Sequence, residues 1–291
     1  MLMCPGRNWP SVEESRIRSL FLEVHHEFAT KRRAGCAMTA VRTGGEAPAV
    51  LKPPADLRRM SRFLLAVLLP VGPAAVAVQR FVLPYRTTDG PEAVVAKVAV
   101  DPQAQSLLLW LALIGLLTLV PGVLGVARLT RRRAPRTTAA AVLLLVPAYL
   151  SMGWLVGSDV LLSVGVRAGV DQPTLVRLYS TDHPTTMVAA AVFVLGHVVG
   201  TVVLGVALWR SGTVPRWAAV LTLVAQPLHF TAAVLVGSPT LDLAAWGLNV
   251  VGFAAASVAI LRLPDDAWDV APAAPTAAGR IGEEPTTILR P

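Results

Sequence analysis

Among the polar side chains inside long apolar stretches of this chain, six stand out: Tyr149, His197, Thr222, Gln226, His229 and Asn249. Such residues are costly in a hydrocarbon environment and usually face a protein interior, so they are candidates for function. Two histidines on neighbouring helices have the donor atoms for axial haem ligation or for holding a quinone. A zinc site needs three or four ligands, and Asn249 and Tyr149 are poor ones, so no metal site is expected. Thr222, Gln226 and His229 follow an i, i+4, i+7 spacing, which places them on one helix face. Pro227 removes the hydrogen bond to the carbonyl of Leu223 and is expected to kink the chain there.

The spacing also sets depth. His197 and His229 each stand 12 residues from the ends of the hairpin Arg210–Arg216. At 1.5 Å per residue, both are expected about 18 Å from that end of their helices. The same count puts Tyr149 12 residues from the corresponding end of its helix. Counting from the opposite turn pairs His229 with Asn249, each 8 residues in. A polar layer of Tyr149, His197, His229 and Asn249 near mid-membrane follows, with interhelical hydrogen bonds as its plainest use. Gly196-x-x-x-Gly200 and Gly252-x-x-x-Ala256 are read as surfaces for close helix packing.

The elements that position these residues are six apolar blocks at 63–83, 106–127, 137–157, 185–209, 217–237 and 241–261. Each is at least 21 residues long, and about 20 helical residues cross a bilayer core. Of the 291 residues, 54% are hydrophobic and 15% charged, too little polar surface for a water-soluble globule. The backbone must satisfy its own hydrogen bonds in lipid, so the fold class is all-α, a polytopic six-helix transmembrane bundle. The first block is the weakest, because it holds Pro70 and Pro73 and is interrupted by Gln79-Arg80.

Basic residues are distributed unevenly. With the N-terminus inside, 21 of the 26 fall in inner segments and 5 in outer ones. The positive-inside rule then places both termini in the cytoplasm. Arg128, Arg131, Arg132, Arg133 and Arg136 form the main anchor to an anionic inner leaflet, and the lipid bilayer is the expected partner. The +8 charge therefore calls for no nucleic acid. A homo-oligomer is compatible with this reading. Outer acids, among them Asp89, Asp159, Asp182 and Asp242, are read as a solvated, mildly acidic surface. Thr181-Asp182-His183-Pro184 reads as the cap of the fourth helix, with the acid at the positive end of the helix dipole.

Residues 1–59 and 264–291 read as disordered tails, one each side of a membrane domain at 60–263. Met38 and Met60 both suit a start codon, and with a start at Met60 the first helix reads either as a span or as a cleaved signal. Cys4 and Cys36 form no disulfide framework, and His25-His26-Glu27 has the wrong spacing for a metal helix.

The inner hairpin, Leu208-Trp209-Arg210-Ser211-Gly212-Thr213-Val214-Pro215-Arg216-Trp217, resembles a turn in families of multi-pass bacterial membrane proteins that have no agreed activity. There a Tyr/Trp-Arg-Ser-x-x-Val-Pro-Arg-Trp segment joins two late helices. The resemblance covers about ten residues closely and 185–261 loosely, and implies a bacterial inner-membrane location without supplying catalytic residues. Nucleotide-binding, metalloprotease and hydrolase motifs are absent from the sequence. The expected function is non-enzymatic: a small-solute or ion permeation unit, or an accessory scaffold, without a cofactor. The alternative is a membrane redox protein binding haem or quinone through His197 and His229.

Overall fold

The computed structural model describes residues 55–269; Cys4, Cys36, the His25-His26-Glu27 triplet and the tail after residue 269 lie outside the described residues. Among the described residues there is no strand. The helices are α1 (Arg58–Val82), α2 (Pro91–Val100), α3 (Pro102–Thr130), α4 (Pro135–Arg167) and α5 (Gln172–Ser180). They continue as α6 (Pro184–Ser211), α7 (Arg216–Phe230, prolonged by a π-helical segment Thr231–Val236), α8 (Pro239–Leu261) and α9 (Asp265–Trp268). Six of them, α1, α3, α4, α6, α7 with its extension and α8, are long and apolar enough to cross a membrane. Outward-facing Leu143, Leu117 and Trp110 are exposed, as expected where the solvent is lipid.

Several helices exceed their apolar blocks because their caps lie further out. Asp101 accepts the amide N–H of Ala104, with Pro102 in the first turn of α3. Proline is preorganised for that turn and has no N–H to leave unpaired. Residues 158–167 continue α4 instead of forming an outer loop, and the chain turns at Gly169, where φ is +72°. At α6 the cap is His183, whose ring nitrogen accepts from the Thr185 amide, and not Asp182. Pro70 and Pro73 are accommodated within a continuous α1.

The packing follows one circuit: α1 on α3, α3 on α4, α4 on α6, α6 on α7, α7 on α8 and α8 back on α1. Glycines set its closest approaches. A Cβ on Gly196 would stand 2.7 Å from that of Ala148, and one on Gly252 would stand 2.4 Å from Thr222 Oγ1. Gly200 meets Leu145 as closely, and Ala256 is fully buried on the same face of α8 as Gly252. The α6–α7 contact depends on Gly205, where a Cβ would lie 2.8 Å from the Leu223 backbone. On the end of the bundle away from the arginine cluster, α2 and α5 form a small cap through Val94, Val95, Val98, Leu162 and Leu175.

At the arginine-rich end, the expectation of a disordered tail from residue 264 is corrected. Residues 264–269 form a latch around α9. Trp268 is completely buried, and its indole N–H donates to Ser61 Oγ at 3.0 Å. Asp265 pairs with Arg62 at 2.9 Å and Asp266 with Arg58 at 2.7 Å. The Arg128 guanidinium lies 5.4 Å from the Trp268 ring centre. An indole that fills the core and two acids facing basic residues supply what an Ala/Pro-rich segment otherwise lacks.

Gly205→Ala is expected to cost about 1–3 kcal/mol through overpacking against backbone that cannot yield. Gly247→Ala meets nothing within 4 Å and should gain up to about 1 kcal/mol from helix propensity. Melting temperatures in detergent check the pair, and equal shifts would contradict the tight α6–α7 contact. Trp268→Ala should lower the melting temperature by more than Ser61→Ala, since it removes both the core volume and the hydrogen bond. Equal losses would mean that the buried indole contributes only its hydrogen bond.

Candidate functional site

The site is organised around an acid that the sequence reading left on the surface. Asp242, in the first turn of α8, is only 2% exposed. Arg80, in the last turn of α1, donates from Nε to Asp242 Oδ2 at 2.7 Å and from Nη2 to Thr87 Oγ1 at 2.6 Å. From α7, His229 donates its Nδ1–H to Asp242 Oδ1. Burying a carboxylate requires such compensation, so three helices meet at this one side chain. Asp242 is therefore no part of a solvated surface, and Arg80 is no mere interruption of the first helix.

One step deeper, the rings of His229 and His197 lie 5.6 Å apart between centres, so the equal depth expected from spacing does bring them together. His197 Nδ1 lies 2.6 Å from the carbonyl oxygen of Phe193. A carbonyl only accepts, so Nδ1 carries the hydrogen, and in the neutral ring Nε2 is left with a free lone pair. That Nε2 is buried and has no hydrogen-bond partner.

The same is true of much of the layer. Trp246 Nε1 and both amide atoms of Gln226 and Asn249 are buried without a hydrogen-bond partner, while the Tyr149 and Thr201 hydroxyls face each other between α4 and α6. With His197 Nε2, the Trp246, Gln226 and Asn249 atoms make six unpartnered polar atoms on three helices: α6, α7 and α8. Thr222 is the exception, bonding back to the carbonyl of Ala218 at 3.1 Å. The expected interhelical hydrogen bonds among these six residues are not formed. His229 does bond across helices, but to Asp242.

The pairing of His229 with Asn249 is shifted by about one helical turn. Ser238 caps α8 by accepting from the Leu241 amide at 3.3 Å, and Pro239 opens the helix. The connection from α7 is therefore shorter than the apolar blocks implied. Gly252 abuts Thr222, and antiparallel register then sets Gln226 level with residues 248–249. His229 instead faces Trp246, with ring centres 5.4 Å apart. The sequence reading missed Arg80, Asp242, Trp246 and Thr201. A signal existed: Asp242, Trp246 and Asn249 repeat on α8 the i, i+4, i+7 spacing that singled out Thr222, Gln226 and His229 on α7.

A second polar group lies under the α2–α5 cap. Tyr85 donates to Asp159 Oδ1 at 2.5 Å, and Gln105 Nε2 donates to the same oxygen at 3.3 Å. Burial, reinforced by the Asp159 carboxylate, raises the Tyr85 phenol well above its usual range, so it remains a donor. Asp159, like Asp242, is an outer acid turned inward.

Aromatic rings line the histidine pair. Phe193 stacks on His197 at 4.4 Å, while Trp246 meets His229 edge-on. A porphyrin coordinated by both imidazoles would have to displace these rings, so the residues do not fit haem in this arrangement. Cavities of about 820, 380 and 230 Å³ are lined by neither histidine. Among the described residues, no group of three or more His, Cys, Asp or Glu side chains is placed to hold a metal. A cavity of about 20 Å³ is lined by Arg80, Thr87, Gly237 and Asp242 among others. That is room for about one water.

Unpartnered amides cost stability, at about 1–3 kcal/mol for each unsatisfied group. The Gln226→Leu, Asn249→Leu double variant is therefore expected to melt several degrees above wild type in detergent. Arg80→Leu strips a buried carboxylate of its cation and should cost about 3–5 kcal/mol. Opposite signs for the two variants would separate the strut from the layer, and a lower melting point for the first would show that Gln226 and Asn249 hold the fold together. No protein-family model, curated protein or solved structure matches this chain.

Proposed function

We propose that this protein is a permeation unit for a small, uncharged, hydrogen-bonding solute, set in the bacterial inner membrane with both termini cytoplasmic. The observation that carries this reading is the set of six buried, unpartnered polar atoms on three helices. They include both donors and acceptors: an indole N–H, an imidazole lone pair and two whole amides. A solute with both kinds of group satisfies them together.

Charge narrows the class. Asp242 is already balanced by Arg80, which leaves no fixed charge in the layer to offset an ion. An uncompensated ion there bears its full desolvation cost. A neutral solute does not. Access is from the end opposite the arginine cluster, past Arg80 and Asp242. Toward the arginine-rich end, Leu145, Leu204, Leu208 and Phe253 are all buried and close the way. Release on that side requires α7 to move. The Pro227 position, where a helical hydrogen bond is missing, and the π-helical segment Thr231–Val236 are where α7 can bend. The orientation rests on the 21-to-5 distribution of basic residues and the positive-inside rule.

Purified protein in phospholipid vesicles provides the test, with stopped-flow light scattering after urea, glycerol or salt gradients. At least one neutral solute should equilibrate about tenfold faster than in protein-free vesicles, salt should not, and Gln226→Leu with Asn249→Leu should abolish the increment. Unchanged rates for every solute would overturn the permeation reading. A Soret band in the purified protein would favour the redox alternative through His197 and His229.

A further inference from the structure

The largest cavity described above, about 820 Å³, lies at the arginine-rich end and has two unlike walls. One is basic, with Arg128 at the end of α3, Arg132 and Arg133 from the α3–α4 turn and Arg262 from the end of α8. The other is apolar, running down α8 through Val251 and Val258 and across to Trp217 on α7. Val251, Val258 and Trp217 are 47%, 45% and 53% exposed. The apolar wall thus opens sideways, where acyl chains lie.

The charge of Arg132, Arg133 and Arg262 is not cancelled. Arg132 donates to the backbone carbonyl of Asp266 at 3.1 Å, and Arg133 to that of Ser211 at 3.3 Å. These neutral acceptors fix both side chains in place and leave each full positive charge. Arg262 makes no side-chain hydrogen bond or ion pair among the described residues. Of the latch acids, Asp265 pairs with Arg62 and Asp266 with Arg58, while Asp269 faces Arg128 at 3.7 Å on the groove's edge and so offsets that one arginine. The groove therefore holds three uncompensated guanidinium groups, two of them preoriented, above a greasy floor.

We propose that this groove is a specific site for an anionic phospholipid of the adjacent leaflet. Its phosphate is held by Arg132, Arg133 and Arg262, and an acyl chain lies along Val251, Val258 and Trp217. Guanidinium forks match phosphate oxygens in geometry as well as charge. The α8 strip gives the chain a surface that inorganic phosphate cannot use. Such a site goes beyond diffuse attraction of a basic loop to a charged leaflet, which would depend equally on Arg131 and Arg136.

The full-length protein in a neutral maltoside detergent supplies the test, by its melting temperature with added phosphatidylglycerol, phosphatidylcholine or inorganic phosphate. Phosphatidylglycerol should raise it by several degrees, phosphatidylcholine by clearly less and inorganic phosphate not at all. The Arg132→Gln, Arg133→Gln, Arg262→Gln variant should lose the phosphatidylglycerol increment, whereas Arg131→Gln with Arg136→Gln should keep it. Arg262→Gln alone, at an exposed side chain without partners, should fold normally and lose part of the increment. Equal responses to the two lipids, a full response to inorganic phosphate, or equal loss in the Arg131/Arg136 control would each overturn the proposal.

Discussion

The fold closes on one buried carboxylate. Asp242 sits where α1, α7 and α8 converge, and it is stable there only because Arg80 and His229 approach it from two other helices. The first and last membrane-crossing helices are thereby fixed to one another, which turns a chain of helix pairs into a circuit. In lipid there is little hydrophobic gain from helix association, so close packing and polar contacts must decide which helices pair. Glycine contacts set the distances within each pair. The Arg80–Asp242–His229 group sets which pair completes the ring. The latch at the other end repeats the device, with Trp268 and its flanking acids tying residues 264–269 to α1.

Beneath that carboxylate the chemistry changes character. Around Asp242 every oxygen has a partner, and around Gln226 and Asn249 none does. Two buried amides without hydrogen bonds are a poor way to build a helical bundle, since leucine would pack there at lower cost. The contrast between a fully satisfied strut and an unsatisfied layer, little more than a turn apart on α8, separates what holds the fold from what the fold holds. The His197 lone pair belongs to the second group and His229 to the first, although their rings are in contact. Treating the two histidines as one unit therefore mixes a structural residue with a candidate ligand-binding one.

Much of this was legible in the sequence, because hydropathy and helical spacing act over short range. The six crossing segments, the polar face of α7 and the common depth of the two histidines follow from counting residues. Partner choice does not. That Asp242 meets Arg80 depends on helices far apart in sequence, and an acid near a helix end reads equally well as solvated. The Asn249 pairing failed for a local reason: Ser238 and Pro239 start α8 early, and a shift of two residues in a turn moves the opposite helix by most of a turn in register. The order in residues 264–269 was hidden by their Pro/Ala-rich context, against which a single tryptophan and three acids carry little weight.

The central claim is that the unpartnered layer communicates with one side of the membrane and serves an occupant. Its most direct test is cysteine accessibility. With Cys4 and Cys36 replaced by serine, Asn249→Cys is reacted with a small neutral methanethiosulfonate reagent added to one side of oriented vesicles at a time, with a membrane-impermeant thiol scavenger on the other side. The account predicts modification from the side opposite the arginine cluster, slowed by a neutral solute that permeates, and none from the arginine-rich side. Modification from the arginine-rich side alone, or from neither side, would contradict it.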